Sequence, residues 1–221
     1  RRVRLLLESI MEHASGEMER GLHAMLNEYE SQLSKFAEQA RNQQVQTRWL
    51  EAQRLVKRTR PDLIPRFMIA LEAELAVIRE PASTARARIA SDELTLMEDV
   101  ELDESTVMTE IASRAELRNS LSLYLLGQRF GVMAGKPAMD AETLPIGPQS
   151  MCKMLRSASQ CLELSNEHRL LLFRNFDRQV MPIYSEMVEQ INAMLAGKGV
   201  LPNLKYVPLR VRRALPEPPA V

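Results

Sequence analysis

Residues 165–202 read SNEHRLLLFRNFDRQVMPIYSEMVEQINAMLAGKGVLP. Phe173, Phe176, Val180, Ile183, Tyr184, Met187, Ile191, Met194 and Leu195 recur at three- and four-residue steps. That spacing lays an apolar stripe along one face of an α-helix. Ser165 stands where an N-cap belongs, because its hydroxyl can satisfy an unpaired amide of the first turn. Gly197 and Gly199 supply the stop, glycine being the residue that ends helices in the left-handed region. Pro182 lies inside the stripe and predicts a kink. The stretch therefore predicts one long, kinked C-terminal helix, and with it an all-α fold.

The same period extends toward the N-terminus. Val3, Leu6, Leu7, Ile10 and Met11, then Met18, Leu22, Met25, Leu26, Tyr29, Leu33 and Phe36, predict a helical stretch from Arg2 to about Asn42. Ser15–Gly16 offers a place for it to bend or break. A second helix is predicted over 44–60, ended by Arg60-Pro61 because the residue before proline disfavours the helical region. A third begins at Pro61 and runs to about Arg79, with Pro65 tolerated in its first turn. Further helices are predicted over 99–119, 121–134 and 149–162, the last started by Pro148. Strand pairs, hairpin turns and βαβ spacing do not appear in the sequence. A short strand could be read in the acidic passage that follows residue 92, but one strand without a partner is not a sheet. The expected architecture is an irregular bundle of about seven helices.

Composition breaks the chain in two places. Residues 80–92, EPASTARARIASD, lose the period and read as a linker between an N-terminal helical part (1–79) and a C-terminal one (93–202), which could form two subdomains or one bundle. Residues 203–221, NLKYVPLRVRRALPEPPAV, hold four prolines and read as an extended tail that leads toward a further domain or wraps back on the bundle. The chain does not begin with Met, and we read it as a piece of a longer protein.

The 221 residues carry 29 Lys+Arg against 29 Asp+Glu, so net charge gives no default attraction to nucleic acid or an anionic membrane. Hydrophobic residues at 45% and charged residues at 26% are an ordinary globular balance. No apolar run approaches the roughly 18 residues that span a bilayer. Cys152 and Cys161 lie nine apart on one predicted helix, about 13 Å of rise, too far for a disulfide within it. Two free thiols packed as small hydrophobes in a reducing cytoplasm are expected.

Three passages carry a family resemblance. Residues 172–206, LFRNFDRQVMPIYSEMVEQINAMLAGKGVLPNLKY, contain the pattern Asn192-x-x-Leu195-x-x-x-Gly199-Val-Leu-Pro202. Residues 93–116, ELTLMEDVELDESTVMTEIASRAE, form an acidic approach to a helix, and 144–155, LPIGPQSMCKML, form a helix start. Together they resemble the bacterial domain-of-unknown-function 1631 family. The resemblance implies the N-terminal helical part of a larger cytoplasmic protein. Some members end in a small β-rich domain similar to those that bind cyclic di-GMP, which is not in this sequence. A thymidine phosphorylase name attached to some members finds no support in these residues, which show neither a glycine-rich phosphate loop nor an α/β pattern.

Candidate chemistry is sparse. Arg54, Lys57 and Arg58 share a helix face, with Arg60 beside them, and could contact phosphate on nucleic acid or a nucleotide messenger. The solvated face of an amphipathic helix explains them better, since no aromatics interleave for base stacking. Arg54-x-x-x-Arg58 and Arg114-x-x-x-Arg118 match the arginine pair of cyclic-di-GMP-binding barrels. That motif needs an extended segment, and on a helix the spacing only sets two charges on one face. Glu98, Asp99 and Glu101 form an acidic passage that could dock a basic partner. The histidines, His13, His23 and His168, have no metal-ligand spacing, and neither cysteine nor any serine has a nucleophile's context. The sequence thus points to a non-enzymatic interaction or regulatory module with no cofactor. Its expected partner is a protein or a second copy, met by helix faces and Met-rich grooves.

Overall fold

The structure, a computed structural model, describes residues 2–79 and 99–206, with side chains described for 2–79 and 103–206. The predicted linker 80–92 and the tail beyond Tyr206 lie outside the described residues, as do Glu98 and the side chains of Asp99 and Glu101. Seven α-helices and no strand are found among the described residues: α1 (Arg2–Gln39), α2 (Gln43–Ala76), α3 (Asp99–Arg118), α4 (Ser120–Ala134), α5 (Pro148–Ser159), α6 (Asn166–Gln179) and α7 (Met181–Gly197). Short 3-10 turns follow α2 at Val77–Arg79 and α5 at Gln160–Leu162. The fold is an all-α bundle.

The count of seven agrees with the sequence, but by a different division. α1 is unbroken at Ser15–Gly16. Gly16 faces solvent with open space around it, while Ala14 and Met18 on either side are fully buried. A glycine costs a helix about 1 kcal/mol, which the burial of its neighbours offsets. Likewise α2 runs straight through Pro61 and Pro65. Both prolines are exposed, and Ala52, Val56, Leu63, Ile64, Phe67, Leu71 and Leu75 continue one buried stripe beneath them. Packing of that stripe overrides the two amide hydrogen bonds that proline forgoes.

The stretch that fixes the fold class is two helices rather than one. α6 ends and α7 begins at Val180 (φ −95°, ψ −40°), two residues before Pro182. Pro182 has no amide proton for the carbonyl of Arg178, so the ladder parts there. Into the angle fits α1, whose Gly21 leaves room for Val180 and Ile183. A Cβ at Gly21 would lie 3.3 Å from Ile183 Cδ1. The break lets α6 and α7 both lie against α1.

α1 is the axis of the molecule. At 1.5 Å per residue its 38 residues span about 57 Å. α2 packs along it, and α6 and α7 pack on it as well. Buried side chains from 2–79 and from 103–200 form one continuous core rather than two. Two tyrosines tie its layers together: Tyr29 donates to the His168 carbonyl at 2.8 Å, and Tyr184 to that of Ile146 at 3.0 Å. No helix among the described residues is long and apolar enough to cross a membrane.

Candidate interaction surface

Where α1 ends and α2 begins, the two helices run past the core. Residues 41–48 are all exposed, and the turn carries large apolar side chains at its surface: Phe36 is 37% exposed, Val45 37% and Leu50 36%. Asn42 caps α2, its Oδ1 accepting from the Val45 amide at 2.8 Å. Phe36 and Trp49 meet in a tilted contact at 5.0 Å between ring centres, and Trp49 meets His168 at 4.6 Å. The aromatic row thus runs from the exposed tip down to the start of α6.

Beside that row lies a cleft of about 540 Å³ between α2 and the α5–α6 turn. Arg48, Glu51 and Leu55 form one wall, and Glu163, Ser165 and His168 the other. Ser165 does occupy the N-cap of α6, but its hydroxyl pairs with His168 Nδ1 at 2.9 Å instead of a backbone amide. Burial holds the His168 ring below the usual imidazole range; Glu167 acts against this and Arg48 adds to it. The cleft therefore has a neutral imidazole at its foot and mixed charges at its rim.

The basic residues predicted as a patch separate. Arg54, Lys57 and Arg58 are exposed on α2, with no hydrogen-bond or ion-pair partner among the described residues. Arg60 is not among them. It falls four residues after buried Val56 and four before buried Ile64, which places it on the inward stripe. There it donates to Glu30 Oε1 at 2.9 Å and Asn27 Oδ1 at 2.7 Å, tying α2 to α1. The shallow hollow at Arg54 and Arg58 is lined by α2 alone, through Glu51 and Leu55.

The Asn-x-x-Leu-x-x-x-Gly-Val-Leu-Pro pattern is a structural clamp. Gly199 (φ 79°) is the left-handed residue of a Schellman ending: its amide bonds the Ala196 carbonyl, and that of Val200 bonds Leu195. Arg129 of α4, 4% exposed, then holds the turn. It donates to the carbonyls of Val200 at 3.2 Å and Leu201 at 3.3 Å and to Asn192 Oδ1 at 2.5 Å. Asn192 in turn donates to the Ser122 carbonyl at 2.7 Å. Arg129 drew no notice in the sequence, because a lone arginine in a short apolar helix has no spacing signature.

Both cysteines are free thiols, as expected. Burial pushes Cys152 up to about 12, with Asp177 and Glu116 adding to it, and raises Cys161 as well. Most of the described methionines supply core. Met18, Met25, Met108, Met133, Met151, Met154, Met181 and Met187 are buried, while Met11, Met68, Met139 and Met194 are half-buried.

Residues 2–199 match the family model described as the N-terminal domain of a protein of unknown function, DUF1631. No curated protein and no solved structure matches the chain. The chain belongs to the DUF1631 family.

Proposed function

From this membership and the surface just described, we propose that the domain is a non-enzymatic helical interaction module within a larger regulatory protein of the bacterial cytoplasm. The observation that carries the reading is the α1–α2 tip, where Phe36, Val45 and Leu50 are each more than a third exposed and Phe36 meets Trp49 ring to ring. Apolar side chains grouped at the surface mark sites of association. The tip presents two helix ends, which suits recognition of another helical face, in a partner or a second copy.

Substituting Val45 and Leu50 by Ser leaves the core untouched and tests this directly. Solution mass and cross-linking of the 221-residue protein in its native extract should report association for the wild type and its loss in the double variant. Equal association by both would remove the tip from the function.

A second reading rests on the unpaired charges of Arg54, Lys57 and Arg58. These would make the domain a sensor of nucleic acid or a nucleotide messenger. Its test is a titration with DNA, RNA and cyclic dinucleotides over a range of salt. Steep salt dependence, abolished by charge removal at the three positions, would favour it.

A further inference from the structure

α3 and α6 lie side by side, and each presents two arginines one turn apart: Arg114 and Arg118 on α3, Arg174 and Arg178 on α6. All four line a single groove of about 510 Å³. Only two carboxylates, Glu110 and Asp177, share it. Asp177 is engaged, its Oδ2 accepting from Arg114 Nη2 at 2.8 Å. Arg118, Arg174 and Arg178 are exposed and have no partner among the described residues. Val107, Ile111 and Pro182 make the groove's apolar lining. Leu117, one turn on from Arg114, is 79% exposed, the highest value among the large apolar side chains of the described residues.

Such a surface carries a definite pattern. The cations repeat at helical spacing on two roughly adjacent walls, apolar side chains lie between and beside them, and one free carboxylate interrupts the field. Arginine prefers planar anions that take two of its donors at once, and carboxylates are among them. A phosphodiester chain would bring uniform negative charge against Glu110 and would find no aromatic ring among the lining residues on which to stack a base. A helix bearing Glu or Asp at four-residue spacing can instead set carboxylates against the free arginines and an apolar stripe against half-buried Val107 and exposed Pro182, with Leu117 beside the groove. We propose that the α3–α6 groove docks an acidic amphipathic helix of a protein partner.

This deepens the reading of the domain as an interaction module and rests on it, but uses a surface separate from the α1–α2 tip. The probe is a fluorescently labelled, Ala-based helix of about 18 residues, long enough to be helical alone, with Glu at four-residue spacing beside a Leu stripe. Its counterpart carries Lys in place of each Glu. The 221-residue protein should bind the acidic peptide, ignore the basic one, and bind more weakly as salt rises. Arg118→Glu/Arg174→Glu/Arg178→Glu should weaken binding by about tenfold or more, and the milder triple Gln variant by less. Both should melt like the wild type, because these side chains are exposed. The Val45→Ser/Leu50→Ser variant should bind the peptide normally. Absence of acidic-peptide binding, equal binding of both peptides, or indifference to the triple variant would each overturn the assignment. Tripolyphosphate or single-stranded DNA binding through the same arginines, more tightly than the peptide, would overturn it in favour of phosphate. Loss of the groove with the tip still associating would sink this inference alone and leave the interaction module standing.

Discussion

Two pairs of arginines in this chain share one spacing and differ in everything that spacing cannot describe. Arg54 and Arg58 sit on the outer face of α2, and the only other side chains lining their hollow come from the same helix. Arg114 and Arg118 sit on α3 and look onto a second pair, Arg174 and Arg178, on α6. A single helix face offers charge with no walls, whereas two helices side by side offer a groove whose depth and charge pattern can select a shape. Charge at helical spacing becomes a site only when a second element faces it.

The contrast can be broken most forcefully at Glu104, which holds the groove's walls. This carboxylate on α3 is 2% exposed and lies 3.0 Å from Arg169 of α6 and 3.4 Å from Arg156 of α5. Glu104→Gln should lower unfolding stability by about 2–3 kcal/mol in urea titrations. The two arginines are partly exposed and can regain water, so the full penalty of a stranded buried charge is not expected. The variant should also weaken acidic-peptide binding while leaving the α2 face as it was.

A smaller effect is expected at Arg60, the inward member of the α2 cluster. Arg60→Ala removes two hydrogen bonds to α1, one of them to a carboxylate only 17% exposed, and should cost about 1–2 kcal/mol by the same measurement. Arg54→Ala and Arg58→Ala should each stay within about 0.5 kcal/mol, as surface changes do. A loss at Arg54 as large as at Arg60 would mean that the outer face has a partner in the fold.

The start of α6 should also respond to pH. Burial lowers the His168 pKa in the folded protein, so the unfolded chain takes up the proton first. The stability tied to a neutral His168 is full above the ordinary imidazole range, near pH 6.5, and is lost as pH falls through that range toward the folded value. The urea midpoint should drop on acidification through this window, and less so in His168→Gln. An identical drop in both proteins would move the dependence elsewhere.

Smallest in energy, but sharp in readout, is thiol access. Cys161 is half-buried and Cys152 buried with its thiol pushed up to about 12. A thiol reagent at neutral pH should label Cys161 first and reach Cys152 only on unfolding. Cys152 also stands beside the α3–α5 contact, so early labelling would show that α3, and the groove with it, opens in the native state.

Much of this fold is legible in the sequence because burial leaves a period. Most of the stripes of α1, α2 and α7 could be read from the period, with Phe36 an exception: it continues the α1 stripe in sequence but is exposed at the α1–α2 tip, where the helix runs beyond the core. The misreadings came where a local rule met a tertiary one. Arg60-Pro61 has every mark of a helix end, yet Val56, Leu63 and Ile64 are buried against the core across it, and that burial outweighs the missing hydrogen bonds. Pro182 signalled a bend, but how completely α6 and α7 part at Val180 depends on the passage of α1 at Gly21. The sites were less legible still. Arg60 looked like its exposed neighbours, and Arg114–Arg118 looked like chance.

By itself, then, the sequence determined the all-α class, the family and most of the faces that turn inward, because hydrophobic burial repeats with the helix and can be read without knowing what lies opposite. Only the tertiary structure decided what each helix lies against. It brought Arg174 and Arg178 of α6 to Arg118 of α3, residues 56 and 60 apart in the chain, and drew Arg60 inward to Glu30. It also turned the Gly199-Val-Leu-Pro202 ending into a clamp around Arg129. Such pairings join residues too distant for any local spacing to record, since what sets them is the shape of the whole core.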